Sequence, residues 1–283
     1  MKTLIMQLMR YCRFPEISRF LFQKKRITVL YYHDISNDNF KWQVEYLKAH
    51  YNIIDLITLR DFLNGEKQNL PDYSLLITFD DGHIGNYQLL ETIKANKIRP
   101  VIFLTASIIG TNNAFWFKIP FANNSFKDNL KRIPDNERRA ILETGYKQFL
   151  TKNIPDALTF EQIQEMAGFV DFQSHTMDHP CLPNSDDTIA EYEISNSKVV
   201  IEGLVSKPVY AFAYPNGNYC DRDINLLIKH GYKLAFSAKG GFVNKNTNPH
   251  TIPRLSINDT NNLGEFILRT SGIWHLMKKV KIK

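Results

Sequence analysis

The sequence LLITFDDGHIGNYQLL, residues 75–90, joins an apolar run typical of a buried β-strand to two adjacent carboxylates, Asp80 and Asp81. Like charges this close resist joint ionisation, because each raises the pKa of the other. A helix-like pattern follows the acidic pair and Gly82. The stretch therefore predicts a β–α unit with chemistry at the carboxyl end of its strand.

Short apolar segments alternate with helix-like segments along the rest of the chain. The strand-like segments are ITVLYY from Ile27, PVIFL from Pro100, FVDFQ from Phe169, VYAFA from Val209 and KLAFS from Lys233. The helix-like ones are FKWQVEYLKAH, NYQLLETIKANK, TFEQIQEMAG and RDINLLIKHG, the last closed by Gly231 as a C-cap. This alternation predicts an α/β fold of parallel strands with crossover helices.

The 283 residues are enough for one large domain. We expect that domain to cover residues 27–270, preceded by a basic helical extension over residues 1–26 and followed by a basic tail over residues 271–283. An aromatic and then charged stretch interrupts the alternation at residues 110–156. We interpret it as a loop and helical insertion in a position to overhang a site.

Lys and Arg outnumber Asp and Glu by 35 to 29, and the surplus lies at the two ends of the chain. The end segments are MKTLIMQLMRYCRFPEISRFLFQKKR and WHLMKKVKIK. Solvated basic helices are the favoured interpretation, and peripheral contact with an anionic membrane is the alternative. Nucleic acid is disfavoured as a partner, because the charge excess is modest and no motif for it is found.

The N-terminal segment has neither the uninterrupted apolar stretch nor the cleavage site of a signal peptide. We therefore expect a cytoplasmic location, with attachment to the inner face of the membrane as the alternative. The three cysteines, Cys12, Cys181 and Cys220, form no metal-spaced pair. Reduced thiols are predicted for them.

Polar residues follow four of the strand-like segments, and parallel strands bring such ends together at one edge of a sheet. On a helical turn the i, i+4 spacing of His175 and His179 would place both imidazoles on one face. With Asp81 they would form a three-ligand site for a divalent cation, with zinc favoured and nickel or cobalt as alternatives. The cation would relieve the repulsion and leave Asp80 ionised as a general base. Unrelated surface histidines and an ordinary acidic turn remain the alternatives.

These motifs together resemble the polysaccharide deacetylase (NodB-homology) family of carbohydrate esterases. TFDDG at residues 78–82 and SHTMDH at residues 174–179 occur in the family's order. The resemblance covers roughly residues 27–257 and implies a distorted (β/α) barrel of about seven parallel strands. It implies that Asp80 is the catalytic base and that the metal ligands are Asp81, His175 and His179.

The third motif, FAYPNGNY at residues 212–219, departs from the usual family pattern. Ala213 stands where an arginine is usual, and Asn216 where a tyrosine is usual, so the segment resembles the poly-N-acetylglucosamine deacetylase-like branch. The backbone N–H of Asn216 is the candidate oxyanion donor, with a plain turn as the alternative. Arg254 is a candidate for orienting Asp80 in place of the missing arginine, although we favour a surface salt bridge for it.

The family's usual C-terminal Leu-x-x-His, which supplies the general acid, is not evident here. In the same branch a Tyr-His-Asp segment supplies the acid, and LYYHDIS contains His33 in that context. The resemblance thus implies His33 as the general acid, with a hydrogen-bonded strand-end histidine as the alternative. His250 and His275 do not fit the usual pattern.

The resemblance implies a metal-dependent enzyme that removes N-acetyl groups from an amino-sugar-containing polysaccharide or glycan. The alternatives are a deacylase of a lipid-linked sugar in cell-surface glycan biosynthesis and an inactive sugar-binding module on the same fold. A two-metal phosphoesterase is disfavoured, because it would need more clustered ligands. Packing rather than sugar stacking is expected for Phe115, Trp116 and Phe117.

Overall fold

The computed structural model describes residues 14–275, which contain one parallel sheet with the strand order β7-β6-β5-β4-β3-β1-β8. An additional short strand, β2, pairs with the first part of β3. The strands are β1 Thr28–Tyr32, β2 Asn52–Ile53, β3 Ser74–Phe79, β4 Val101–Leu104, β5 Asp171–Ser174, β6 Ala211–Ala213, β7 Leu234–Phe236 and β8 Leu255–Ser256.

The segment that carries β8 closes the sheet on itself. Leu30 of β1 pairs with Leu255, and Phe236 of β7 forms a parallel bridge with Ile252. The segment of residues 252–256 therefore contacts both β7 and β1. The expected distorted (β/α) barrel is confirmed.

Ten α-helices are delimited in the described part of the chain, where residues 273–275 are also helical, and those that follow strands make the crossovers. They are α1 Phe14–Ser18, α2 Asn37–His50, α3 Leu56–Leu63, α4 Leu90–Asn96, α5 Asn124–Leu130, α6 Asp135–Gly145, α7 Phe160–Met166, α8 Asp187–Val205, α9 Asp221–Lys229 and α10 Leu263–Thr270. Gly231 follows α9 with φ +77°, a conformation that costs glycine little. All six predicted strands and four predicted helical segments are present, whereas β2, β8, α3, α8 and α10 were not predicted.

The two faces of the sheet bury different sets of apolar residues. Leu75, Ile77 and Phe79 of β3 pack with Phe40 and other residues of the surrounding helices. The alternate position Leu76 packs with residues of α3 and of the other strands in a second cluster. Because side chains alternate along a strand, Thr78 and Asp80 continue the face of Leu76 toward the carboxyl end. The polar site is thus built on top of an apolar barrel interior.

Both ends of the described chain pack against each other. Ser18 Oγ donates to the carbonyl of Ser271, and buried Gln23 Nε2 donates to the Thr270 carbonyl. The domain boundaries given above stay a prediction. The basic residues Lys2, Arg10 and Arg13, the cysteine Cys12 and residues 276–283 lie outside the described residues. Within residues 14–275, no helix combines the length and apolar character needed to cross a bilayer.

The insertion at residues 110–156 contains α5 and α6 and packs around a small core of its own, formed by Ala114, Trp116, Ile119, Leu130 and Leu142. It returns to the barrel at Ala157, which bridges His83 beside the acidic turn. The insertion therefore lies next to the carboxyl end of β3. Elsewhere Cys181 is buried and Cys220 is half-buried, and both are free thiols as predicted.

Candidate active site

A strained turn at the end of β3 separates the two aspartates. Asp81 has φ +74° and Gly82 has φ +76°. A Cβ on Gly82 would lie 2.6 Å from Leu104 Cδ2, so glycine is the residue that fits at this point. The backbone N–H of Asp80 still donates to Tyr32 of β1, at 2.9 Å. The turn gives the adjacent carboxylates different partners.

Asp81, His175 and His179 converge on one point. Oδ1 of Asp81 lies 3.4 Å from Nε2 of each histidine, and the three potential ligand atoms lie within 4.8 Å of one another. Among the described residues, buried Asp81 Oδ1 has no hydrogen-bond partner. Burial lowers the pKa of His179 to about 3, so this imidazole is neutral at physiological pH, as a metal ligand must be. An unpartnered carboxylate oxygen facing two imidazole nitrogens fits a divalent cation.

The two histidines lie in a loop, so the prediction that they share a helical turn is wrong. Strand β5 ends at Ser174, and Thr176 and His179 have φ values of +72° and +53°. Pro180 follows directly and disfavours helical geometry in His179. Thr176 Oγ1 also accepts a hydrogen bond from the His179 backbone N–H, at 3.0 Å. The loop brings both Nε2 atoms to one point by its own turns.

Side chains from α8 and from the insertion fix this loop. Glu193 Oε2 accepts hydrogen bonds from the backbone N–H groups of Met177 and Asp178, at 2.9 and 2.8 Å. Trp116 Nε1 donates to the His179 carbonyl at 2.9 Å, and the Arg138 guanidinium donates to the same oxygen at 3.3 Å. No local sequence pattern connects these residues to the loop, so their supporting role was not predicted.

Hydrogen bonds also set the proton positions around the three ligands. His175 Nδ1 lies 2.8 Å from the Ala213 carbonyl, which can only accept, so the proton is on Nδ1 and Nε2 is free to bind a cation. Ala213 thus contributes its backbone where the usual family sequence has an arginine.

His83 is a buried partner of Asp81 that the sequence analysis did not identify. Its Nε2 lies 3.0 Å from Asp81 Oδ2, and its Nδ1 lies 3.3 Å from Lys118 Nζ. A lysine ammonium only donates, so Nδ1 accepts and the proton on Nε2 is donated to Asp81. Burial raises the pKa of Asp81, but the adjacent His175 and His83 side chains outweigh it and keep the pKa well below the usual value. Oδ2 is therefore occupied while Oδ1 faces the other two ligands.

Arg254 forms a buried ion pair with Asp80, so the favoured surface salt bridge is wrong. Its side chain is about 1% exposed, and Nη1 and Nη2 donate to the two carboxylate oxygens at 2.7 and 2.8 Å. Burial raises the pKa of Asp80, but Arg254 outweighs it and the pKa is lowered. Asp80 is ionised at neutral pH.

The two remaining predicted site residues, His33 and Asn216, line one cavity together with the aspartates and histidines described above. It has a volume of about 420 Å³ and is lined by Asp80, Asp81, His175 and His179 together with His33 and Asn216. His33 is exposed at this cavity, and its ring makes an edge contact with Tyr31 at 5.7 Å. Neither His250 nor His275 lines the cavity.

Asn216 and Phe117 lie on two different loops and both line the cavity that contains Asp81, His175 and His179. Asn216 has φ +56° in the turn after β6, and its side chain donates to Cys181 Sγ at 3.3 Å. The Phe117 ring lies 4.5 Å from that of His179 and lines the cavity. Phe115 and Trp116 are buried, as packing predicts. Phe117 is thus part of the candidate site as well as of the packing.

A sequence model described as polysaccharide deacetylase matches residues 67–235, more than half of the chain. The chain belongs to the polysaccharide deacetylase family. As a member of this family it is a hydrolase of carbon–nitrogen bonds other than peptide bonds, as the resemblance implied. The matched residues include the aspartates, the two histidines that could bind a metal and Asn216, whereas His33 and Arg254 of this deacetylase lie outside them.

Similar proteins support the same branch of the family. A poly-β-1,6-N-acetyl-D-glucosamine N-deacetylase of Staphylococcus aureus is 25% identical over 229 residues, which cover 80% of this deacetylase and 69% of the relative. The deacetylase PplD of Streptococcus pyogenes in complex with acetate superposes with a TM-score of 0.65 at 19% identity, over 88% of this chain and 99% of that one. IcaB from Ammonifex degensii gives a TM-score of 0.65 at 20% identity, over 89% and 99%. These structures have the same fold as this deacetylase.

Proposed function

We propose that this deacetylase removes N-acetyl groups from an amino-sugar-containing glycan with a divalent metal ion held by Asp81, His175 and His179. The observation that carries the proposal is the convergence of three ligand atoms beside an ionised Asp80 in one open cavity. Zinc suits this set of ligands, and nickel and cobalt are the alternatives. When bound, the ion supplies Lewis acidity, which polarises an acyl carbonyl and makes water a stronger acid.

Asp80 is the proposed general base. Both of its oxygens accept hydrogen bonds from Arg254, which fixes the plane of the carboxylate and keeps it ionised. It takes a proton from the water that attacks the acetyl carbon. The guanidinium thereby orients the base and does not itself react.

Asn216 and His33 are proposed to act on the other side of the reacting amide. The backbone N–H of Asn216 is the proposed donor to the negative oxygen that develops on the acetyl carbon. His33, at the solvent side of the cavity, delivers a proton to the departing nitrogen. The water oxygen ends in acetate, the carbon–nitrogen bond breaks and the sugar leaves as an amine.

The direct test is acetate release from oligosaccharides of N-acetylglucosamine. We expect turnover that is lost after chelation and restored by zinc, nickel or cobalt, with metal content measured in the same samples. Binding of the oligosaccharide to fully metal-loaded enzyme without acetate release would instead favour an inactive sugar-binding module on this fold.

A cytoplasmic location with contact to an anionic membrane surface is also proposed. It is supported by apolar residues that are exposed next to basic ones on the described N-terminal segment: Ile17, Phe20, Leu21 and Phe22 lie beside Arg19, Lys24 and Lys25. Such contact would suit a lipid-linked sugar as the alternative substrate. Sedimentation with anionic but not neutral vesicles is the expected result, and failure to sediment with either would contradict it.

A further inference from the structure

Three lysines of the insertion line the candidate active-site cavity. They are Lys118 at the end of the Trp116–Lys118 turn, Lys127 in α5 and Lys131 just after this helix. The other charged groups of the lining are the metal-ligating set, the paired Asp80 and Arg254, and Asp34. The insertion side of the cavity is therefore positively charged.

The carboxylates nearby do not balance these lysines. Lys131 Nζ lies 3.2 Å from Asp128, an exposed residue, and Lys118 donates to the neutral imidazole of His83. Among the described residues no carboxylate lies within ion-pair distance of Lys127. Partial burial and the neighbouring charge of Lys131 lower the pKa of Lys127. An anionic ligand would relieve this repulsion.

Two of the three lysines also line a second cavity, which continues from the first. This open groove has a volume of about 520 Å³ and shares Phe117, Lys118 and Lys127 with the active-site cavity. Phe121 and Asn123 extend it along the insertion. Aromatic rings and amides are suited to a sugar, and ammonium groups to an anion. A glycan longer than one sugar, extending away from Asp81, His175 and His179, would pass over the lysines.

We propose that Lys127 and Lys131, together with Lys118, form a subsite for a phosphate group carried by the glycan next to the sugar that loses its acetyl group. The inference rests on the proposed deacetylase function. Phosphate suits the site because lysines act as point charges toward it, whereas the planar fork of arginine suits carboxylates, and Arg254 is already used by Asp80.

The same lysines would disfavour a glycan with free amines at the neighbouring sugar. Each removal of an acetyl group leaves an ammonium ion, which the insertion side of the cavity repels. We therefore expect isolated removals beside phosphate groups rather than runs of consecutive ones along a neutral polymer.

Binding to the Asp80→Asn variant, in which turnover is suppressed, tests the subsite separately from the reaction. The ligands are an N-acetylglucosamine disaccharide with a phosphodiester on its terminal sugar and the same disaccharide without it, compared by calorimetry. We expect the phosphorylated ligand to bind about tenfold more tightly, which corresponds to two partly exposed charge contacts. The advantage should shrink as ionic strength rises from about 50 mM to about 500 mM.

Lysine variants in the same background decide the assignment. Lys127→Gln together with Lys131→Gln should remove the preference for phosphate, whereas Lys233→Gln, at an exposed position outside both cavities, should retain it. Equal affinities for the two ligands, a preference that survives the double substitution, or no measurable binding of either ligand would each overturn the proposal.

Acetate release by the unsubstituted, zinc-loaded enzyme distinguishes the sources of the phosphate. One substrate carries the phosphodiester inside an oligosaccharide, and the other carries the sugar on a short-chain polyprenyl phosphate. Faster release from the first assigns the site to a polymer, and faster release from the second to a lipid-linked sugar. Phosphate-dependent binding without acetate release from either substrate would overturn the deacetylase function and leave the subsite standing.

Discussion

Arg254 binds both carboxylate oxygens of Asp80 across a separation of 174 residues, with Nη1–Oδ1 at 2.7 Å and Nη2–Oδ2 at 2.8 Å. The guanidinium is itself fixed, because Nε donates to the Ser237 carbonyl at 3.0 Å and Nη1 lies 3.2 Å from Thr78 Oγ1. Arg254 therefore makes the contact with Asp80 that the sequence analysis considered for it in place of the arginine missing at Ala213. The fork of Arg254 determines both the charge and the orientation of the proposed base.

Replacing Arg254 with Met should raise the pKa of Asp80, because burial then acts without an opposing charge. A base with a higher pKa is protonated at higher pH, so the acid limb of kcat/KM should move up by at least about one pH unit. Arg254→Lys keeps a positive charge but loses the paired N–H donors of the guanidinium. The acid limb of its kcat/KM profile should therefore move less, while kcat falls. Breaking a buried pair costs roughly 3–5 kcal/mol, so circular dichroism must accompany the pH profiles. An unchanged acid limb in folded Arg254→Met would contradict this role.

Asp80→Asn should retain the metal and lose most turnover, because an amide cannot accept the proton of the attacking water. The expected loss of kcat is about 10²- to 10⁴-fold. Elemental analysis and acetate release from the same preparation check both parts. Turnover at the parent rate would remove Asp80 from the role of base.

Asp81→Ala, His175→Ala and His179→Ala should each lose the metal while the barrel stays folded, since all three side chains lie after strand ends rather than in the apolar clusters. His230→Ala is the matched control. That histidine pairs with Glu191 at 2.9 Å and does not line the cavity, so its removal should leave the metal content unchanged. Full metal occupancy in one of the three variants would exclude that residue from the ligand set.

His83→Leu should weaken metal binding about 10- to 100-fold, the range typical for loss of an outer hydrogen-bond partner of a ligand. The substitution leaves Asp81 Oδ2 without its donor, so the carboxylate is no longer fixed with Oδ1 toward the histidines. His83→Gln can present an amide N–H at a similar place and should recover part of the affinity. Competition with a metal chelator measures the metal affinity of the unsubstituted enzyme, His83→Leu and His83→Gln. Identical affinities would refute the positioning role of His83.

His33→Ala should reduce amide hydrolysis about 10²- to 10⁴-fold and the hydrolysis of an activated ester much less. An amine leaving group needs a proton, whereas an activated phenolate does not. A histidine that only supports the structure would lower both rates together. Equal losses on the two substrates would therefore contradict the role of general acid.

The strands and the acidic turn were predictable because their signals are local. Four of the six residues of β3 are apolar, and all six are buried. Such runs, bounded by turn residues, mark strands that are covered on both faces. The positions of Asp80, Asp81 and His175 then followed from where the strands end.

Long-range contacts account for most of what the sequence analysis missed. Strand β8 has two residues, too few for a periodic signal, and Arg254, directly before it, reaches Asp80 only once the barrel closes. The supports of the histidine loop come from Trp116, Arg138 and Glu193, which lie 63, 41 and 16 residues from the loop residues they bind. Helix α8 did have a local signal, since the Asp186 side chain caps it at Ile189, but Ser, Asn and β-branched residues lower its intrinsic propensity.

The closure of the barrel by residues 252–256 couples catalytic competence to the completion of folding. During synthesis on the ribosome, the motif aspartates and histidines emerge well before Arg254, so the nascent chain contains every motif residue while Asp80 has no cation beside it. A fragment limited to residues 67–235 would contain the matched family sequence and lack both Arg254 and His33. We expect such a fragment to be inactive, because the base acquires its charge partner only from the strand that completes the barrel.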